Sequence, residues 1–374
     1  MLGNQNIGTN PYQATIATGQ NYTFGGQTVD GISPIQGVNA DIKWESTKTT
    51  DIGLDAVLFQ GKVTFTGDYF IRNTSDILLS LPVMNAFGLG VPVINAGSVQ
   101  NKGFEMIAGY HLRKDDFTFD VNANISVIKN EVTSLAGTGP FPNGSTIQGV
   151  GLPINSLYGW VSEGLFQNQD EITNHADQSG MGGPVAPGDI KYKDLNGDKV
   201  IDSKDRQFLG SYFPKTTYGI NFSAGYKGFD AVLFLQGVGG VKSFVSGRIL
   251  GSLYDKDGDP TSIWWDRWTP TNTGASFPRV WNSNSQNDPG ATPSSFWVRN
   301  AGYIRLKNVQ IGYTLPVRLL AKTGIKRARV FWTGKDLLTF TKFYKWVDPE
   351  APLGGNSYTY PMVKVNSFGI NLTF

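Results

Sequence analysis

The segment FTFDVNANISV, residues 117–127, alternates apolar and polar residues at every step. Successive side chains of a β-strand point to opposite faces, so one face of this segment is apolar and the other is polar. The polar face carries Thr, Asp, Asn and Ser but no Lys or Glu. A water-facing sheet normally carries more charge, whereas a strand between a polar lumen and lipid gives this composition. The segment therefore predicts an antiparallel strand and favours a membrane barrel over a soluble sheet with one buried face.

The same two-residue period recurs along the chain, in KVTFTGDYFI (62–71), YGINFSAGYK (218–227) and SFGINLTF (367–374). It predicts an all-β fold with nine strands, near 51–59, 62–72, 102–112, 117–128, 217–226, 229–240, 302–314, 327–335 and 367–374. Short connections, FQGK (59–62), LRKDD (112–116) and YKGF (226–229), alternate with much longer ones. Short turns on one side and long loops on the other are typical of an antiparallel transmembrane β-barrel of the outer membrane.

Because the predicted strand count is odd, the chain is expected to start and end on opposite sides of the membrane. If the short turns are periplasmic, the last strand ends in the periplasm and residues 1–50 form an external loop before the strands and loops of 51–374. A single-chain bacterial barrel normally has an even number of strands and does not begin in an external loop. We therefore expect residues 1–374 to be the C-terminal part of a larger barrel. The alternating stretch LYGWVSEGLF (157–166) is expected in an external connection, because one more barrel strand would break the parity.

Composition excludes several classes of function. The 374 residues carry a net charge of +2, so no strong basic field indicates a nucleic-acid partner. The absence of cysteine excludes disulfides, Cys-ligated zinc and thiol catalysis. The two histidines, His111 and His175, fall in no metal-binding spacing or nucleophile motif. We expect no enzymatic activity and no required cofactor.

The segment DLNGDKVIDSKD, residues 194–205, has oxygen donors at the spacing of a calcium loop. The predicted ligands, at loop positions 1, 3, 5, 7, 9 and 12, are Asp194, Asn196, Asp198, the Val200 carbonyl, Asp202 and Asp205. Ile201 at position 8 would anchor the loop to a core. Two features argue against metal: position 6, normally Gly, is Lys199, and position 12 is Asp rather than Glu. The alternative is a surface loop rich in Asx turns that holds no metal.

Five tryptophans lie in the long connection 241–301. Trp264 and Trp265 are the best candidates for stacking on sugar rings. The alternative for each tryptophan is packing within the loop or against a partner.

Several stretches resemble the C-terminal part of the SusC/RagA-like TonB-linked outer-membrane transporters of Bacteroidetes, and they follow the family's order over nearly the whole chain. They are GNQNIG (3–8), KWESTKTTDIGLD (43–55), AGSVQNKGFEM (96–106), LYGWVSEGLFQ (157–167), GDIKYKDLNGDKVIDSKDRQFLG (188–210), YIRLKNVQIGYTLP (303–316), GKDLLTFTKF (334–343) and GINLTF (369–374).

This resemblance implies a place in the outer membrane, in contact with its lipid, as about nine strands of a 22-strand barrel. It implies import of a glycan or peptide substrate, with a SusD-like surface lipoprotein as lid and with energy from TonB. The plug domain that the family carries is absent from these residues. The resemblance also implies that the terminal strand is a signal for the barrel-assembly machinery, read from Phe368, Ile370, Leu372 and Phe374. The alternative function is a soluble β-rich protein that binds or cleaves glycans.

Overall fold

A computed structural model describes residues 12–80, 86, 88–246, 262–281, 285–321, 323–351 and 362–374. Its strands, in chain order, are β1 (Ile16–Thr18), β2 (Tyr22–Phe24), β3 (Gln27–Val29), β4 (Ile32–Pro34), β5 (Ser46–Leu58), β6 (Val63–Ser80), β7 (Val93–Lys114), β8 (Phe117–Ser134), β9 (Phe141–Asn143), β10 (Thr146–Gln148), β11 (Ser156–Trp160), β12 (Ser162–Leu165), β13 (Ile190–Tyr192), β14 (Arg206–Gly210), β15 (Thr216–Tyr226), β16 (Phe229–Gly239), β17 (Lys242–Phe244), β18 (Val298–Asn300), β19 (Tyr303–Thr314), β20 (Arg327–Thr341) and β21 (Val365–Thr373). The helices are α1 (Gln169–Thr173) and α2 (Val317–Leu320), with 3₁₀ turns at Ser179–Met181, Ser203–Asp205 and Ser262–Asp266.

Nine of these strands form one antiparallel sheet in the order β5-β6-β7-β8-β15-β16-β19-β20-β21. The predicted all-β fold and the count of nine barrel strands are confirmed. Among the described strands, β5 and β21 each pair with one neighbour, so the sheet is open at both edges. In the described part of the chain, no helix is long and apolar enough to cross a membrane.

Register explains the alternation seen in the sequence. Val121 pairs with Tyr110 on β7 and with Phe222 on β15, and the row continues through Leu233 to Val309. Directly opposed residues point to the same side of a sheet, so this row defines an apolar face. The neighbouring row passes through Asn122, Asn221 and Asn308 and belongs to the opposite, polar face, although Phe234 interrupts it.

The two ends of the sheet differ in their connections. Three tight turns, at 59–62, 115–116 and 227–228, lie at one end, as the sequence predicted. Phe59, Gln60, Asp115 and Lys227 all have positive φ there, the left-handed conformation that such turns require. The fourth connection at this end contains α2.

Several strands extend beyond the predicted bounds at the long-loop end. Strand β6 runs to Ser80, β7 starts at Val93 and β20 reaches Thr341. Strand β5 begins at Ser46, so the predicted division after residue 50 falls inside it. The alternation weakens in these extensions because bulges shift the register, as between Thr74 and Ile77.

The long connections fold into a compact unit, the cap, which comprises the described residues of 135–215, 240–302 and 342–351. The stretch 157–166 forms β11 and β12 in small cap sheets and not a tenth barrel strand, as predicted. The cap has its own core of sixteen buried apolar residues: Leu157, Leu165, Ile190, Tyr192, Ile201, Leu209, Val241, Phe244, Val245, Trp264, Trp268, Trp281, Trp297, Ala301, Phe343 and Val347.

Candidate functional site: the cap and its loops

The tryptophans of the 241–301 connection divide into a buried group and one exposed residue. Trp264 is 2% exposed, and its ring centroid lies 5.1 Å from that of Trp281 and 5.3 Å from that of Phe277. Protein covers this ring, so it cannot stack on a sugar in this conformation. Trp265 is 81% exposed. Of the two candidates only Trp265 presents an accessible ring, and its role in sugar binding stays a prediction.

A buried carboxylate, Asp189, joins distant parts of the cap. Arg279 donates to both of its oxygens, from Nε at 2.5 Å and from Nη2 at 3.1 Å. The side-chain amides of Gln286 and Asn287 donate to it at 2.6 and 2.7 Å, and so does the Ala186 backbone N–H at 2.8 Å. A fully buried charge requires such compensation, because desolvation alone would cost several kcal/mol. Asp189, Arg279 and residues 286–287 are therefore held as one unit.

A second buried charge ties the last long connection to the sheet. The Arg305 guanidinium on β19 is 2% exposed and donates to both carboxylate oxygens of Asp348, at 3.0 and 2.9 Å. It also donates to Glu350 at 2.9 Å and to the Thr339 hydroxyl at 2.8 Å. Arg305 opposes Gln236 and Thr339 on the polar face. The segment 342–351 is thus fixed against that face.

The loop 194–205 is closed by hydrogen bonds from its own backbone. Asp194 accepts from the N–H groups of Gly197 and Lys199, at 2.7 and 2.9 Å. Asp205 is buried and accepts from the N–H groups of Leu195 and Asp202, both at 2.8 Å. The Asx turns named as the alternative to a metal site are present as well: the side chains of Asn196, Asp198 and Asp202 each accept from the N–H two residues on, at 2.9, 3.0 and 2.7 Å.

Lys199 and Ile201 occupy positions 6 and 8 of this loop, and each has the conformation or burial that a calcium loop shows at that position. Lys199 has φ of 65°, the left-handed conformation for which calcium loops use Gly at position 6. Ile201 is buried in the cap core, as predicted for an anchor at position 8.

The charges of the loop are already partly balanced. The Lys204 Nζ lies 3.6 Å from Asp198 and 3.4 Å from Asp202, between two of the predicted ligands. The Val200 N–H, the Asn196 side chain and Lys204 hold the pKa of Asp198 below its usual value. Among the described residues, no three acidic or histidine side chains converge as a metal site requires. Calcium binding therefore stays a prediction.

Both histidines have partners. His111 Nδ1 lies 2.8 Å from Asp120 on the polar face, where Arg113 binds the same carboxylate. His175 Nδ1 lies 3.0 Å from the Ala176 carbonyl, and the ring packs edge-on against Phe166.

The terminal strand presents its apolar side chains outward. Phe368, Ile370, Leu372 and Phe374 are all exposed, and the first three alternate along β21 opposite Trp332, Val330 and Ala328. The predicted row exists, and its reading as an assembly signal stays a prediction.

Sequence reasoning missed Asp189 and Arg305, the two polar anchors of the cap. Their main partners, Arg279 and Asp348, lie 90 and 43 residues away. No local spacing therefore marks either residue.

Comparison with known proteins gives one family for most of the chain. A family model described as "TonB dependent receptor-like, beta-barrel" matches residues 6–337. TonB-dependent receptor P3 of Formosa agariphila is 31% identical over 400 residues, covering 100% of this chain and 38% of that protein. TonB-dependent receptor SusC of Bacteroides thetaiotaomicron is 27% identical over 398 residues, covering 100% and 37%.

A solved structure with the same architecture is that of the RagAB peptide importer in its open-open state. It aligns with a TM-score of 0.77 at 26% identity, over 100% of this chain and 39% of that one. The chain thus spans well under half the length of the relatives it matches.

Proposed function

Because the chain belongs to the TonB dependent receptor-like β-barrel family, we propose that it forms part of the wall and external loops of an outer-membrane importer. The resemblance to SusC/RagA-like TonB-dependent receptors is confirmed by the family match and by the relatives SusC and RagAB. The proposed place of these residues is the C-terminal part of the barrel, with the plug contributed by another part of the parent protein.

The main support for this proposal is a sheet that has one apolar and one polar face, with tight turns at one end and long connections at the other. An apolar row such as Tyr110, Val121 and Phe222 suits lipid, and a polar row such as Asn122 and Asn221 suits an aqueous lumen. The tight turns at one end and the folded cap at the other match a periplasmic and an external side. Closing the open edges at β5 and β21 requires further strands, because unpaired backbone groups cannot be left in hydrocarbon.

The proposed activity is uptake of a glycan or peptide oligomer. A SusD-like surface lipoprotein would close over the cap as a lid, and TonB would supply energy through the plug. SusC and a RagAB importer among the relatives support the lipoprotein partner. The barrel-assembly machinery would recognise the terminal strand β21. The proposed role is transport and not catalysis, since the relatives named above are receptors and importers.

Fractionation and uptake together test the proposal. The parent protein should partition with outer membranes, resist extraction by salt or carbonate, and support uptake of fluorescent oligomers only when TonB is present. Recovery in the soluble fraction would favour instead the soluble glycan-binding alternative. Outer-membrane partitioning with TonB-independent uptake would reject the energised mechanism.

A further inference from the structure

A cavity of about 790 Å³ lies where the cap meets the polar face of the sheet. Its volume is in the range of small-ligand sites, about 300–1,000 Å³. Ile128 and Asn130 of β8 and Asn101 of β7 form its sheet side, while Leu152, Pro153, Phe208 and Phe213 of the cap form much of the rest. Cavities at the junction of two units are common ligand sites.

Two lysines of the cap, Lys215 and Lys242, line this cavity together with Lys129 of β8, whose side chain belongs to the opposite face, and no carboxylate lines it among the described residues. Lys129 is paired with Glu131 at 2.5 Å, and Lys242 Nζ donates to the Leu209 carbonyl at 2.9 Å. Within the described part of the chain, Lys215 is exposed and takes part in none of the ion pairs. The cavity therefore holds excess positive charge.

Two asparagines that line the cavity can also act as donors. Asn101 Oδ1 accepts from Asn130 Nδ2 at 2.8 Å, and Asn300 Oδ1 accepts from the Gly302 N–H at 2.8 Å. With their oxygens engaged, Asn101 and Asn300 have N–H groups left to donate. A lining of ammonium and amide donors without acidic acceptors complements a ligand rich in negatively charged oxygens.

The apolar part of the cavity lining places a second requirement on the ligand. Phe208 and Phe213 are both 42% exposed. Exposed aromatic faces beside cationic groups suit a ligand with an apolar surface next to its charge. A free inorganic anion would leave these faces unused.

We propose that this cavity binds a carboxylate group carried by the oligomer that the transporter imports. The inference rests on the proposed import function, since it makes the cavity a subsite on the path between cap and lumen. Lys215 and Lys242 are the primary contacts for the anionic group, and Phe208 and Phe213 contact the adjoining apolar surface. An acidic sugar and an acidic peptide share this chemistry, and binding measurements separate the two sources.

The test uses the intact parent protein in detergent and measures binding by calorimetry, without transport. The probes are trigalacturonate and its neutral methyl ester, and triglutamate and triglutamine. We expect at least one acid to bind tenfold or more tightly than its neutral counterpart, with an advantage that shrinks as salt rises. Which acid binds identifies the source.

Variants assign the effect to the cavity. Lys215→Gln should weaken binding of the acid about tenfold and leave the neutral probe unchanged, while Lys215→Arg should retain the acid's affinity. Lys193→Gln, at an exposed cap lysine outside the cavity, is the matched control. Equal binding of acid and neutral probes, or acid binding unaffected by Lys215→Gln, would overturn the assignment. Acid-selective binding by a protein that shows no uptake would reject the import function and leave the cavity assignment standing.

Discussion

Asp189 and Arg279, 90 residues apart in sequence, form a two-point ion pair inside the cap. Asp189 is completely buried, while the Arg279 side chain is about one-third exposed. Asn287 links the same carboxylate to the backbone, since its Nδ2 donates to Asp189 and its Oδ1 accepts from the Ile190 N–H at 2.9 Å. The cap is therefore organised by polar contacts as well as by its aromatic core.

We predict that Asp189→Ala opens the cap without displacing the barrel strands. The change leaves Arg279 and the buried amides of Gln286 and Asn287 without their common acceptor, and a buried donor left unpaired costs about 1–3 kcal/mol. Limited proteolysis of intact cells should cut the cap of this variant faster than wild type, while the protein stays in the outer membrane. Asp170→Ala, at an exposed carboxylate on α1, is the control and should digest like wild type. Equal digestion of Asp189→Ala and wild type would show that the aromatic core alone holds the cap.

The sequence predicted the sheet well and the cap poorly, for a physical reason. In a barrel strand every second side chain faces the same side of the sheet. The pattern within residues 117–127 is therefore sufficient to predict a strand, without information from distant parts of the chain. The cap depends on contacts such as Asp189 with Arg279, which no local period encodes. Trp264 and Trp265 show the same limit, because neighbours in sequence have opposite exposure on a 3₁₀ turn.

Membrane placement predicts unequal effects of arginine at adjacent positions. Val121 lies on the apolar face between Tyr110 and Phe222, whereas Asn122 lies on the polar face. Arginine on the lipid face near the middle of a bilayer costs about 2–4 kcal/mol. Val121→Arg should therefore lower the amount of assembled, heat-modifiable parent protein, and Asn122→Arg should lower it much less. Equal losses in semi-native gel electrophoresis would contradict the assignment of faces.

We predict that Gly237 on β16 cannot be replaced by a larger residue without a loss of assembly, because the Tyr218 ring lies against it. A Cβ at Gly237 would lie 2.0 Å from Cζ of Tyr218, its partner on β15. Gly237→Ala should displace the ring and reduce assembly yield, and Tyr218→Ala should largely relieve that defect in the double variant. Gly239→Ala is a matched control on the same strand, since its Cβ would meet only Thr216 at 3.8 Å. Additive losses from Gly237→Ala and Tyr218→Ala would show that the ring does not rest on the glycine.

Lys199→Gly should stabilise the 194–205 loop. Lys199 holds φ of 65°, which costs a non-glycine residue about 1–2 kcal/mol. Glycine removes that cost but adds about 0.4–1 kcal/mol of unfolded-state entropy, so the net gain is about 0.5–1 kcal/mol. Hydrogen exchange of the loop amides should slow about two- to fivefold. Lys193→Gly, at a residue without positive φ, should not slow exchange, and faster exchange in Lys199→Gly would reject the strain argument.

Calcium binding by the same loop is predicted to be limited by its own lysine. The Lys204 ammonium lies within 3.6 Å of Asp198 and Asp202, so a metal ion at these ligands must displace or tolerate it. Removing the ammonium with Lys204→Gln should raise calcium affinity, whereas Asp194→Ala and Asp198→Ala should lower it. Trp160 gives a local probe, because its Nε1 donates to the Asp202 carbonyl at 2.7 Å.

Terbium bound in the loop should therefore emit when Trp160 is excited, and calcium should quench the signal by competition. The measurement uses the intact parent protein at millimolar calcium, with Trp160→Phe as the control that removes the sensitiser but no ligand. The expected order of affinity is Lys204→Gln above wild type, with both aspartate variants below it. If neither wild type nor Lys204→Gln gives a calcium-sensitive signal that depends on Trp160, the backbone hydrogen bonds already made by Asp194 and Asp205 are sufficient to close the loop. These aspartates would then be turn residues and not ligands.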